Sequence, residues 1–345
     1  MGRALADAYP EARAVFDEAD AASGGPEGPP LRFVEPPRPV APPRHVEAPP
    51  RHVEAPPRHV EADLQVRLLS ELIFDGPESE LMLTEHAQPA TLTVSIAAYR
   101  VLSARGIEPA FVAGHSLGEY SANVAAGTMA FGDAVRIVRR RGMYMQEAVP
   151  VGAGAMAAIL GLDADTVARA CEEAAQGEVV SPANINGAGQ VVIAGATAAV
   201  QRAGTRAREL GARRVVPLAV SAPFHCAMLK PAEERLAPEL RALDTRNPRV
   251  PVVANVDAEP KRDAASAIDA LVKQVSAPVQ WEQVVRRLAS EGVTNYVEVG
   301  PGTVLSGLVK KIHKEAIVCN FAAPDDLAAV EGALASSKFE VRSRK

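Results

Sequence analysis

Residues 111–127 read FVAGHSLGEYSANVAAG. An apolar run ends at Gly114, a turn carries His115 and Ser116, and an amphipathic stretch follows. The pattern predicts a short strand, EPAFVAG, a tight turn, and a helix over roughly 118–128. Gly114, Ser116 and Gly118 spell G-x-S-x-G. The bare pattern is weak, because at average glycine and serine usage a chain of this length holds it by chance roughly one time in ten. The setting carries the weight. A serine set between a strand and a helix by flanking glycines occupies a strained backbone and projects its hydroxyl at the helix N-terminus. There the N–H of Leu117 points toward a developing oxyanion, and the helix dipole favours negative charge. Ser116 is therefore the candidate nucleophile.

The chain on either side alternates between helix and strand. Upstream, residues 3–21 read as one helix, and LLSELIFDG and PATLTVSIAAYRVLSARG read as two more, the last closed by Gly106. Downstream a helix is expected over roughly 132–147. Residues 152–219 change rhythm: GAMAAILGL, VVSPANING, QVVIAGA and ARRVVPLAV are strand-like, and two helical segments separate them in βαββαβ order. That order marks a ferredoxin-like unit. After residue 225 the alternation resumes through a helix, the strand PVVAN, two helices, the strand NYVEVG and a final helix after Gly302. The expected class is α/β: a hydrolase-like core with a mostly parallel sheet, plus an inserted ferredoxin-like subdomain. The expected boundaries are 1–23 with 68–151 and then 220–322 for the core, 24–67 for an insert, 152–219 for the subdomain, and 323–345 for a C-terminal helix or tail.

The insert repeats APPRHVE from Ala41, Ala48 and Ala55. A period of seven suggests a coiled coil, but a Pro-Pro pair in every unit removes backbone donors and blocks helix. An extended, solvated, polyproline-like segment is expected. At ~3.1 Å per residue, His45, His52 and His59 would stand ~20 Å apart, which argues against a shared metal.

A chain of 345 residues, 48% hydrophobic, can bury a core. A net charge of −5 argues against a nucleic-acid partner. Cys171, Cys226 and Cys319 lie far apart with no C-x-x-C pair, so neither a disulfide framework nor a zinc site is expected. The N-terminus lacks a signal-type apolar region, and no stretch is apolar for the ~18 residues a membrane span needs. A cytoplasmic protein is the expectation.

A serine needs a base to react at neutral pH. Outside the repeats the histidines are His86, His115, His225 and His313. His115 adjoins Ser116, and neighbouring side chains in a tight turn point apart. His313 follows a lysine-rich amphipathic helix and reads as part of a solvated face. His225, in VSAPFHCAM, stands at a strand end, where α/β active sites gather. On the residues alone, its role stays open between structural and catalytic. Arg139, Arg140 and Arg141 step ~100° apart on a helix, so at most one faces a site squarely.

GHSLGEYSA, followed by FGDAVRIVRRRGMYMQEAVP and GAMAAILGL, resembles the malonyl-CoA:acyl-carrier-protein transacylase family, and most nearly its discrete bacterial fatty-acid enzyme. The likeness runs from Leu68 to about Ile312 and covers residues 1–23. It implies transfer of malonyl from malonyl-CoA to the phosphopantetheine thiol of acyl carrier protein through an ester on Ser116, in fatty-acid or polyketide biosynthesis. It implies His225 as base and acid, with a main-chain carbonyl at Gln274 orienting the imidazole and Asn255 in support. Arg141, the arginine before glycine, would grip malonyl's free carboxylate with its planar fork. Phe224 would crowd an α-methyl branch, and Gln88 would lie near the site. No metal or cofactor is implied, since phosphopantetheine belongs to the carrier, and a monomer is expected.

One departure stands out. Family members begin with a strand ending in a GQGSQ-like loop, one glutamine of which donates a main-chain N–H to the oxyanion hole. No GQGSQ occurs in this sequence. The resemblance thus implies a missing core strand, an exposed sheet edge and one lost donor, worth ~10²–10³ in rate. A misplaced start, a truncated chain and an impaired homologue are the readings this leaves. A serine hydrolase on the same elbow is the rival activity, and Arg141 argues against it because a neutral ester has no need of a cation.

Overall fold

Pro10 splits what the apolar spacing presents as a single helix. A proline disfavours helical geometry at the residue before it, and Tyr9 is extended at φ −132°, ψ 120°. Two helices, Arg3–Ala8 and Pro10–Gly24, therefore replace the one expected over 3–21. The computed structural model describes residues 1–24 and 68–343. The APPRHVE repeats and their three histidines lie outside the described residues.

The helix Thr84–Ser103 begins more than a turn before Pro89, where the sequence pattern had placed its start. It packs tightly on Phe131–Ala148. A Cβ on Gly142 would lie 2.6 Å from Cα of Glu85, so only glycine permits this approach. Leu5, Phe16, Leu92, Ile96, Val138 and Met145 fill the core between these helices and the N-terminal pair.

The sheet of this core is in two pieces. Val112–Ala113 runs parallel to Val252–Val253, which pairs antiparallel with Pro260–Lys261. Asn295–Val299 runs parallel to Ile317–Phe321. Among the described residues no ladder joins the two pieces. Parallel strands are ordinarily covered on both faces. Here Asn295–Val299 and Val112–Ala113, each at the edge of its sheet, are half-exposed along their whole lengths.

The segment from Gly154 to Pro217 builds a separate four-stranded antiparallel sheet. Its spatial order is Val180–Gly187, Gln190–Ala196, Gly154–Leu160, Arg214–Pro217. The period of two along each strand sorts its side chains onto two faces. Ile159 and Ile193 meet the helices Ala164–Ala175 and Thr197–Glu209 through Val167, Cys171 and Val200. Met156, Ala158, Val192 and Ala194 face the other way, against Cys226 and Phe224. The small sheet thus cradles the chain on both sides of His225. All three cysteines are free, and no helix among the described residues is long and apolar enough to cross a membrane.

Candidate active site

Ser116 is the N-cap of the helix Leu117–Ala125, held at φ 52°, ψ −107°. This left-handed backbone is one that a β-substituted residue rarely adopts without outside support. The turn is tight enough that a Cβ on Gly114 would come within 2.0 Å of the carbonyl carbon of Gly118. Gly114 therefore answers to a steric demand, whereas a Cβ on Gly118 would meet nothing. Leu117, the first residue of the helix, packs half-buried against the helical core.

His225 also sits at positive φ, 61°. Its Nε2 lies 2.7 Å from Oγ of Ser116, and its Nδ1 lies 2.8 Å from the main-chain oxygen of Gln274. A carbonyl only accepts, so Nδ1 carries the hydrogen and Nε2 turns its lone pair to the hydroxyl. Burial, and then the charge of Arg141, push the imidazole down to about 3. The ring is therefore neutral across the physiological range.

Arg141 is buried on the inner side of Phe131–Ala148. Its Nη1 donates to Oε1 of Gln88 at 2.7 Å, and its Nη2 donates to Oε1 of Gln274 at 2.9 Å and to Oγ of Ser116 at 3.1 Å. The guanidinium also lies over the ring of Tyr120, 5.3 Å from its centroid. These direct partners are all neutral, and the buried Glu119 carboxylate reaches the guanidinium only through the amide of Gln274.

Gln274 is the hub. Besides its two acceptor contacts, its Nε2 donates to the main-chain oxygen of Ser116 and to Oε2 of Glu119, each at 2.8 Å. Asn255, just past the strand Val252–Val253, contacts the elbow through its side chain, and its main-chain N–H donates to Oε2 of Glu119 at 3.0 Å. Phe224 is half-buried next to His225, between the helical core and the small sheet.

The remaining histidines stand apart from the pair. His115 turns away and meets Oδ1 of Asn186 at 3.0 Å. His86 meets the main-chain oxygen of Glu80 at 2.9 Å. His313 departs from expectation: it is half-buried rather than solvated, because its Nδ1 lies 3.1 Å from the Tyr296 hydroxyl and the two rings meet edge to face. Of the other arginines, Arg140 is exposed and pairs with Glu239 at 2.7 Å. Arg139 is half-buried. Glu119 and Tyr120 were not among the expected site residues. The available signal was their position three and four residues after Ser116, which puts them on the nucleophile's own helix face. No group of three or more His, Cys, Asp or Glu side chains among the described residues is arranged to hold a metal ion.

Fold and site together define an α/β acyltransferase-type protein, with a serine–histidine pair on a strand–turn–helix elbow and a buried cation beside it. The family model described as "Acyl transferase domain" matches residues 53–334, well over half of the chain. The chain belongs to this family. It is 55% identical over 238 residues to the malonyl CoA-acyl carrier protein transacylase of Escherichia coli K12, covering 69% of this chain and 77% of that protein. The crystal structure of an acyl carrier protein S-malonyltransferase from Vibrio cholerae superposes with a TM-score of 0.82 at 40% identity, covering 96% of this chain and 94% of that one. A malonyl-transacylase in complex with its type II PKS acyl-carrier protein matches at a TM-score of 0.81 and 40% identity, over 96% and 94% of the two chains.

Proposed function

We propose that this protein moves a malonyl group from malonyl-CoA to the phosphopantetheine thiol of an acyl carrier protein, through an ester on Ser116. The observation that carries the reading is the Arg141 guanidinium, buried among neutral partners, 3.1 Å from the candidate nucleophile. With only neutral groups in direct contact, the planar fork can turn its donors to an incoming carboxylate. In a malonyl thioester, the free carboxylate lies one methylene beyond the carbonyl that the hydroxyl attacks, so one substrate reaches both groups.

The chemistry follows from the proton positions. Nε2 of His225 takes the hydroxyl proton as Oγ bonds to the thioester carbon. The C–S bond breaks, and the proton passes to the departing CoA sulfur. In the second half the carrier's thiol gives its proton to Nε2 and attacks the ester, and Oγ leaves with that proton. The Leu117 N–H is the oxyanion donor of this reading. Gln274 supplies the imidazole's orienting carbonyl in place of a carboxylate, and Asn255 supports the turn. Gln88 fixes one arm of the arginine fork, and Phe224 narrows the space at the acyl α-carbon.

Serine, histidine and arginine supply all the proton transfer and charge this exchange demands, so no cofactor enters the scheme. The protein is taken as a cytoplasmic monomer, with residues 152–219 as a unit inserted in the acyltransferase core. The deciding experiment incubates the protein with malonyl-CoA, with and without phosphopantetheinylated carrier, and follows intact mass. A malonyl adduct on the Ser116 peptide that disappears onto the carrier is expected, and Ser116→Ala abolishes it. Release of free malonate with no transfer would instead identify a hydrolase.

A further inference from the structure

We propose that Glu119 is a positioning residue for the acyl group's carboxylate: it is the counter-charge of Arg141 in the free protein, and it takes up a proton from solvent when the diacid docks. The inference rests on the reading that Arg141 receives malonyl's carboxylate.

Glu119 is 1% exposed and Arg141 is 3% exposed. They are not bonded directly. One amide lies between them, with Nε2 of Gln274 on Oε2 of Glu119 at 2.8 Å and Oε1 of Gln274 on Nη2 of Arg141 at 2.9 Å. An ionised carboxylate only accepts, so it holds the donor end of that amide toward itself and the acceptor end toward the guanidinium. The empty site thus contains one buried cation and one buried anion. An arriving carboxylate would make two anions on one cation in a water-poor interior. The least costly relief is protonation of the anion that does not touch the cation.

The surroundings suit that response. The charges acting on Glu119 are Arg141, from Phe131–Ala148, and Asp257, which follows the strand Val252–Val253. The amides of Gln274 and Asn255 face it directly. Tyr120, next in the chain, is pushed up to about 12 and stays neutral, as does the His225 ring. Burial pushes the Glu119 carboxyl up to about 7, so a proton is readily gained near neutral pH.

Proton balance makes the idea measurable. Below the pKa of the released thiol, moving malonyl from CoA to a serine hydroxyl takes up and releases no net proton. Any uptake then reports a protein group. The full-length protein is malonylated at pH 7.5 in weakly buffered solution containing an indicator dye, and the ester is counted by mass. Between about one half and three quarters of a proton per ester is expected. Acetyl-CoA, which lacks the carboxylate, is expected to give none. Glu119→Gln keeps an oxygen for both accepted hydrogen bonds and removes the charge, so uptake disappears. In the wild type, kcat/KM for malonyl-CoA falls up to about fifteenfold from pH 7 to 8.5, and in Glu119→Gln it is flat. Stoichiometric ester without proton uptake overturns the proposal, as does a Glu119→Gln protein that keeps the uptake or the slope. If that variant does not fold, the wild-type measurement decides alone. Failure to form any ester on Ser116 overturns the underlying reading instead.

Discussion

Asn255 braces the elbow from the neighbouring strand: its Oδ1 accepts the main-chain N–H of Ser116 at 2.7 Å, while its Nδ2 donates to the main-chain oxygen of Gly114 at 2.7 Å. One fully buried amide thereby satisfies the backbone on both sides of His115, where the strained turn offers no ladder partner. Asn255→Ala strands a donor and an acceptor away from water. A loss of about 2–4 kcal/mol is expected, read as a lower denaturation midpoint together with slower acylation of Ser116. An unchanged midpoint would show that the turn holds its shape without the brace.

Gly114→Ala is the harsher change. The added methyl would meet the main chain of Gly118 at 2.0 Å, and backbone on both sides of a tight turn has little room to yield. The variant is expected to lose the elbow geometry, with loss of Ser116 labelling and a cost of several kcal/mol, beyond the ~1–3 of ordinary overpacking. Thermal unfolding of the purified variant measures it, and a wild-type melting profile would contradict the steric argument.

Arg141→Ala separates recognition from chemistry. On the proposed reading two charge-assisted hydrogen bonds to malonyl's carboxylate are lost, so kcat/KM for malonyl-CoA should fall by about 10²-fold or more. Acetyl-CoA, which offers nothing to the guanidinium, should be spared or improved. Equal losses for both thioesters would place Arg141 in the chemistry of the elbow rather than in acyl choice.

The pH dependence of stability has a definite sign at His225. Its folded value is depressed from 6.5 to about 3. The stabilising contribution is therefore whole above 6.5 and is lost as pH falls toward 3, because the unfolded chain gains a proton that the folded one refuses. Between pH 6.5 and 4.5 this amounts to roughly 2–3 kcal/mol. Urea unfolding of the wild type and His225→Gln at those two values tests it. The variant should lose less stability on acidification, and equal losses would mean that the ring is not held neutral.

The sequence disclosed these features unevenly, for reasons of range. The turn at Ser116 was legible because its demand is local: glycine where the main chain makes a close approach, and serine where a helix begins. Successive steps of ~100° set Arg141 and Arg140 on different sides of one helix, and the structure buries the first and exposes the second. His225 was not separable from His115 by pattern, since what distinguishes them is a contact across 109 residues. The carbonyl of Gln274 has no side-chain signature at all and came into view only through the family resemblance. Glu119 stayed hidden because an acidic residue in the first turn of a helix is ordinary on dipole grounds, and only packing makes this one a buried charge. The first helix was misjudged at Tyr9, where the apolar spacing runs on past a proline that the backbone cannot ignore.

Gln274 divides its duties between main chain and side chain, and that division has a genetic consequence. The oxygen that steadies the imidazole is common to all amino acids, whereas the amide that holds the guanidinium belongs to glutamine. A single codon change at 274 therefore strikes the cation's alignment and leaves the proton shuttle its acceptor. On the proposed reading, acyl preference can drift at this position without the lineage having to rebuild its serine and histidine.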